Sequence, residues 1–122
     1  MSSVVWDIVQ RTLIDAGIDT YAPSQHQGDC TDFYAVLKYD GSSQKGNYSS
    51  EQPYYTLLCY APRNKYIELL DFVQKCEDVM AKSPIYPMLK PTGIKTPSYF
   101  DDTVNGYMIS VQYRNMKRNE HL

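Results

Sequence analysis

Three segments of this chain alternate apolar or aromatic residues with a period of two, and that alternation limits the fold more than any other feature. In 32–39, Phe33, Ala35, Leu37 and Tyr39 fall on one side, with Tyr34, Val36 and Lys38 on the other. In 53–60, Tyr54, Thr56, Leu58 and Tyr60 oppose Tyr55, Leu57 and Cys59. In 107–113, Tyr107, Ile109, Val111 and Tyr113 oppose Met108, Ser110 and Gln112. Successive side chains of a strand point to opposite faces, so each segment reads as a β-strand with two distinct sides. Between the first two lies DGSSQKGNYSSEQ, too long and too hydrophilic for a tight turn. The pair is therefore expected to be antiparallel and joined by a mobile hairpin arm at about 41–52. Asn105-Gly106 is a turn signal just ahead of the last strand.

Two other segments carry the helical period. Ser2 or Ser3 can cap a first helix in which Val5, Ile8, Val9, Thr12 and Leu13 recur at helical spacing and Gly17 supplies the stop. Trp6 beside that stripe either completes the buried face or marks an interface. Tyr66, Leu69, Leu70, Val73, Cys76, Val79 and Met80 describe a second amphipathic helix, with Pro62 just inside its start and Ser83-Pro84 at its end. The linker 18–31 has room for a short edge strand near Tyr21, and 86–89 for another beside Pro87. The reading is α+β: about four strands in a mostly antiparallel sheet, two helices on one face, order α-β-β-α-β-β. At 122 residues the chain reads as a single domain, 1–122, without repeats or an internal linker and with a frayed tail at about 116–122.

The chemistry-bearing residues are sparse. The only histidines are His26, in a polar linker, and His121 near the end, so no nucleophile–base–acid set is legible and no catalytic residue is assigned. Neither histidine pairs nor Cys-x-x-Cys nor an Asp/Asn ladder offers a metal site, and no cofactor site is assigned. Gly41 and Gly46 have phosphate-loop spacing but are followed by Asn47-Tyr48, not Lys-Ser/Thr. Asp101 and Asp102 could in principle hold a cation, yet adjacent loop carboxylates more commonly make turn hydrogen bonds. The three cysteines, Cys30, Cys59 and Cys76, are an odd set suited to reduced thiols. A net charge of -2 gives no basic footprint for nucleic acid. No apolar run reaches the ~18 residues of a membrane span, and the start lacks the form of a signal peptide, so the protein is expected to act where it is made.

The compositional anomaly is aromatic: twelve tyrosines, of which Tyr34, Tyr39, Tyr54, Tyr55, Tyr60, Tyr107 and Tyr113 lie on strands and occupy both faces. Half-burial and β-propensity explain each one singly. They do not explain aromatics on both sides of a sheet whose helices can cover only one. The second face is expected to meet another protein chain, where tyrosine is enriched.

The succession CTDFYAVLK at 30–38, YYTLLCYAP at 54–62, the helix that follows, MLKPTG at 88–93, TPSYFDDTV at 96–104 and YMISVQYRN at 107–115 resembles small tail-terminator and tail-completion proteins of long-tailed phages and prophages. The likeness covers nearly the whole chain, and its motifs are structural. It implies a hexameric ring of copies on the finished tail tube that stops tail growth and presents a joining surface to the head. The implied partners are further copies of the chain, the tail tube protein and a head–tail connector or stopper, with no membrane and with DNA only in transit through the lumen. The implied location is the virion, assembled in the bacterial cytoplasm. By analogy, the arm at 41–52 and the loop at 91–104 are contact elements, and the candidate contacts are Tyr48, Tyr54, Tyr55, Tyr99, Phe100, Asp101 and Asp102. Other head–tail connectors, head-completion proteins and minor capsid proteins share this size and pattern. From another class, a small ligand-binding or enzymatic α+β domain would use a Tyr-lined pocket with Asp101 or Asp102.

Overall fold

In the computed structural model, which describes residues 2–44, 51–82 and 84–115, the elements run α1 (Ser2–Asp15), β1 (Thr20–Tyr21), β2 (Tyr34–Gln44), β3 (Glu51–Pro62), α2 (Tyr66–Met80), β4 (Leu89–Lys95), β5 (Tyr99–Asp101) and β6 (Gly106–Asn115). The long alternating segments become β2, β3 and β6, and they pair as the alternation requires. Tyr34 lies opposite Tyr60 and Leu37 opposite Leu57, while Leu57 lies opposite Val111 and Cys59 opposite Ile109. Both ladders are antiparallel.

The α+β class with two helices on one face is what the sequence implied. The strand count and order differ. The sheet has six strands, ordered β1-β2-β3-β6-β4 with β5 also on β6, and it is mixed because β1 runs parallel to β2. The element order is thus α-β-β-β-α-β-β-β, not α-β-β-α-β-β. The additional strands are β1, two residues long, and β5, three residues long, too short for any periodicity to register. The segment expected as a strand at 86–89 is mostly turn, and pairing begins at Leu89, opposite Asn115. Strands β2 and β3 run further into the polar stretch than their apolar pattern does, pairing to Gln44 and Glu51 past a bulge between Tyr39 and Gly41. The bulge leaves Asp40 as the extra residue and Gly41 at φ +96°. Residues 45–50, the tip of the expected arm with Tyr48, and the tail 116–122 lie outside the described residues.

The helix ends follow local chemistry. Gly17 adopts φ +89°, the Ile18 amide donates to the Leu13 carbonyl at 3.0 Å, and the Gly17 amide donates to Ile14 at 2.9 Å. This left-handed glycine cap closes α1 and brings Ile18 and Leu13, both fully buried, into the core. Pro62 does not open α2: it ends β3, and a turn precedes the helix at Tyr66. The helix turns Leu69, Val73, Cys76, Val79 and Met80 inward and leaves Tyr66 and Leu70 exposed, although their spacing had grouped them with the stripe.

One core forms between the helices and one face of the sheet. Val9 and Leu13 of α1 and the inward stripe of α2 meet Ala35, Leu37, Tyr55, Leu57, Cys59, Ile109, Val111 and Tyr113. Trp6 completes this layer, half-buried against the core, and its indole donates to the Leu37 carbonyl at 2.8 Å, just past the end of β1. No helix among the described residues is long and apolar enough to cross a membrane.

Candidate docking faces

The sheet face away from the helices carries no second layer among the described residues. Its rows can be read from the registers: Tyr34–Tyr60–Met108–Tyr99 at one end, then Val36–Leu58–Ser110, then Lys38–Thr56–Gln112, and Tyr54–Arg114–Lys90 at the end nearest the arm. Most of these side chains are half-buried, because each shelters its cross-strand neighbours but no second layer among the described residues covers the rows.

The first row is the exception. Tyr34 is only 4% exposed, because the loop between β1 and β2 folds over it. Its ring stacks on Tyr60 at 4.7 Å on one side and on His26 at 3.8 Å on the other, with Tyr21 edge-on at 5.7 Å. The loop is pinned beyond the stack as well. The Cys30 amide donates to the Val104 carbonyl at 2.6 Å, and Cys30 sits where a Cβ on Gly106 would come within 2.8 Å of both Cys30 Cβ and the Ala61 carbonyl. Burial raises the Tyr34 phenol well above its ordinary range, and burial with the nearby Asp101 carboxylate raises Tyr60 to about 12. Burial likewise lifts the Cys30 thiol to about 11. These groups keep their protons near neutral pH. They can donate hydrogen bonds, but they are poorly suited to act there as bases or nucleophiles.

The predicted contact residues do not form one site. Tyr99 and Asp101 project from β5 to the uncovered face beside the Tyr60 row, whereas Phe100 turns to the helix side, 5.2 Å from Tyr107 and under the Arg63 guanidinium at 5.8 Å. Tyr54 lies on the uncovered face at the opposite end, in the row of Arg114. Asp102 is exposed in the β5–β6 turn. Asp101 is occupied by that turn, since its Oδ1 accepts from the Thr103 amide at 3.0 Å and the Thr103 hydroxyl at 2.6 Å. Tyr55 must be removed from the set. It is fully buried between sheet and helices, and its ring packs at 5.3 Å from Tyr39, so it offers no surface to a neighbour. Its parity in β3 is that of Leu57 and Cys59, and alternation alone cannot say which parity faces the helices.

The uncovered face also holds features that sequence reasoning passed over. His26 was assigned to a polar linker, and no periodicity marks its stacking on Tyr34. Arg114 falls just past the 107–113 alternation, which assigns it no side. Its Nε is buried without a hydrogen-bond partner among the described residues, and in the register it stands beside Lys90, whose ammonium lies 5.5 Å above the Tyr86 ring. On the helix side, a groove of about 340 Å³ runs between α2 and the 95–98 segment, with Leu70, Val73, Pro97 and Ile109 among its walls and the Lys95–Glu77 ion pair at 3.3 Å on its rim. It is open to solvent. Next to it, Tyr66 donates to or accepts from Ser98 at 2.9 Å, and Ile67 is 69% exposed. No group of three or more His, Cys, Asp or Glu among the described residues is placed to hold a metal ion. No protein-family model matches this chain, and a search of curated proteins finds no match either.

Proposed function

We propose that the protein is a structural subunit of a phage virion: it forms a ring, hexameric by the resemblance, on the end of the tail tube, ends tail growth and offers the surface to which the head is joined. The observation that carries this reading is the one-sided sheet. Six strands present a helix-covered face that closes the subunit's own core and an opposite, aromatic face that, beyond the loop over Tyr34, no second layer among the described residues covers. A subunit that leaves such a face half-buried is suited to burying it against other protein. The β2–β3 ribbon supports the same reading, since it stays paired for three rungs beyond Tyr54–Arg114, the last β3–β6 pair. A two-stranded ribbon that outruns the third strand is a means of reaching a neighbour or the tube.

Electron microscopy of particles made without this chain tests the proposal. Overlong tails are expected, with normal length restored when the chain is supplied. Normal-length tails beside unfilled heads would move the protein to head closure, and intact particles would overturn a virion role.

A further inference from the structure

Apolar side chains that the helix layer leaves in solvent gather at one end of it. Tyr66, Ile67 and Leu70 of α2 are 40%, 69% and 51% exposed, and Phe100 of β5 is 36% exposed. Tyr107 joins them into one patch, its ring 5.0 Å from Tyr66 and 5.2 Å from Phe100. With side chains on the order of 200 Å² each, the four leave roughly 400 Å² of largely apolar surface in water. A contiguous patch of that size on a small domain marks a contact surface, unlike apolar residues scattered singly.

The patch has a counterpart at the same level on the other side of the sheet. Helix α2 follows β6 along its length. Tyr66 touches Tyr107 near the start of the strand, Glu77 pairs with Lys95, which lies opposite Val111, and Met80 lines a hollow with Tyr113. The helical rise over 66–80 and the strand rise over 107–113 are both about 20 Å, so the two elements stay in step. The α2 patch therefore stands behind the rows Tyr60–Met108–Tyr99 and Val36–Leu58–Ser110, the more apolar half of the uncovered face. Toward the arm both surfaces turn polar. Beyond Leu70, α2 exposes Asp71, Gln74, Lys75 and Asp78, and the corresponding rows of the sheet carry Lys38, Thr56, Gln112 and Arg114.

We infer that a second copy of the chain lays its α2–β5 patch on the uncovered sheet face of the first, so that copies associate head to tail. This rests on the self-association in the reading above and assigns it to a pair of surfaces. Rotation about an axis running along the strands keeps every row at its own level. A ring with that axis brings the apolar level of one copy against the apolar level of the next, and each copy gives one surface of each kind to its two neighbours. The areas suffice. Strands ~4.8 Å apart and rows ~6.7 Å apart make the four-stranded, four-row face about 14 by 20 Å before side chains widen it. A specific interface needs at least ~1,000 Å² in total, roughly half from each copy and a little over half of it apolar, which the ~400 Å² patch supplies.

Sedimentation equilibrium of the full chain, from micromolar to millimolar concentration, tests the pairing and should show reversible self-association. Ile67→Asp on the patch and Tyr99→Asp on the sheet face, both at exposed side chains, should each weaken it about tenfold or more. An equimolar mixture of the two variants should form one-to-one pairs that grow no larger, because each retains the surface that the other has lost. A two-fold contact between like surfaces would gain nothing from mixing. Circular dichroism matching the parent separates lost docking from lost folding, with Leu70→Asp and Met108→Lys as second variants of the two surfaces. A chain that stays monomeric throughout, variants that associate like the parent, or a mixture no better than its components would each overturn the assignment. Tail length in particles lacking the chain is read independently, so overlong tails together with any of those results would remove this inference and leave the terminator reading standing.

Discussion

The two faces of the sheet are made from the same strands, often from adjacent residues of similar type, yet they do opposite work. Leu57 is fully buried beneath the helices, while Leu58, one residue on, is half-buried on the uncovered side. Tyr55 is enclosed, and Tyr54 lies in a row with Arg114. On the covered face, apolar rows such as Leu37–Leu57–Val111 interlock with two helices. On the other, aromatic, hydroxyl and charged side chains shelter one another without a second layer. Stability is therefore concentrated on one face, and on the reading proposed above recognition falls to the other. A sheet divided in this way tolerates change on one side far better than on the other.

The largest test of that division is a pair of substitutions one residue apart. Leu57→Ala removes a fully buried side chain at the centre of the core and should cost about 2–5 kcal/mol, whereas Leu58→Ala should cost about 1 kcal/mol or less. Chemical denaturation of both variants measures the difference. Equal losses would mean that the uncovered face is as tightly sealed as the core. Next in size is Gly106→Ala. The added methyl would meet the Ala61 carbonyl and Cys30 Cβ at 2.8 Å, and neither is the end of a flexible chain. The strand or the 22–33 loop must shift, so a loss of about 1–3 kcal/mol is expected from the same measurement.

Much of this division was legible in the sequence, because period and parity are local properties. The alternation in 32–39, 53–60 and 107–113 identified the three long strands and their two sides, and Gly17 marked the end of α1 through the left-handed conformation that glycine adopts without a Cβ penalty. Parity does not say which side the helices take, and that is why Tyr55 was grouped with Tyr54 as a contact. The short strands β1 and β5 owe their existence to the partner they lie against. A two- or three-residue segment carries no pattern of its own. The level row ending on Arg114 and Lys90 depends on register across three strands, and the stacking of His26 on Tyr34 depends on a loop path. Neither is written in any short window of residues. Asp101 is the opposite case: the turn role expected of adjacent loop carboxylates is the one its bonds to Thr103 describe.

The aromatic row at the loop end should behave in between. Tyr34 gains its burial from His26 and Tyr60, not from the helices. Tyr60→Leu keeps apolar bulk and β-propensity but removes one stacked partner, for which about 0.5–1.5 kcal/mol is expected. His26→Ala should release the loop locally, seen as faster amide hydrogen exchange at Cys30, whose N–H is held by Val104, with the Leu57 and Val111 amides unchanged. Core amides that accelerate equally would show that the stack and the core unfold as one unit and that the two faces are not energetically separate.

The smallest effect is titration at alkaline pH. Burial raises the Cys30 thiol to about 11 from its ordinary 9, and Tyr60 to about 12 from 10. Each folded group holds its proton more tightly than the unfolded chain does. Their contribution is complete below pH 9, where both states are protonated, and it is lost as pH rises through the folded values because ionisation then favours the unfolded chain. The melting temperature should therefore be flat up to about pH 9 and decline between about 9 and 12. Cys30→Ala should lessen the decline between about 9 and 11 without abolishing it, because a hydrogen bond with Cys76 and burial also raise the Cys59 thiol well above its ordinary 9. The same protonation predicts that a thiol reagent at pH 8 labels native Cys30 far more slowly than the denatured chain, since thiolate is the reacting form. Rapid labelling of the native protein would mean that the loop opens readily and that the Tyr34 stack does not hold it, and the uncovered face would then be loosely covered even at its most sheltered end.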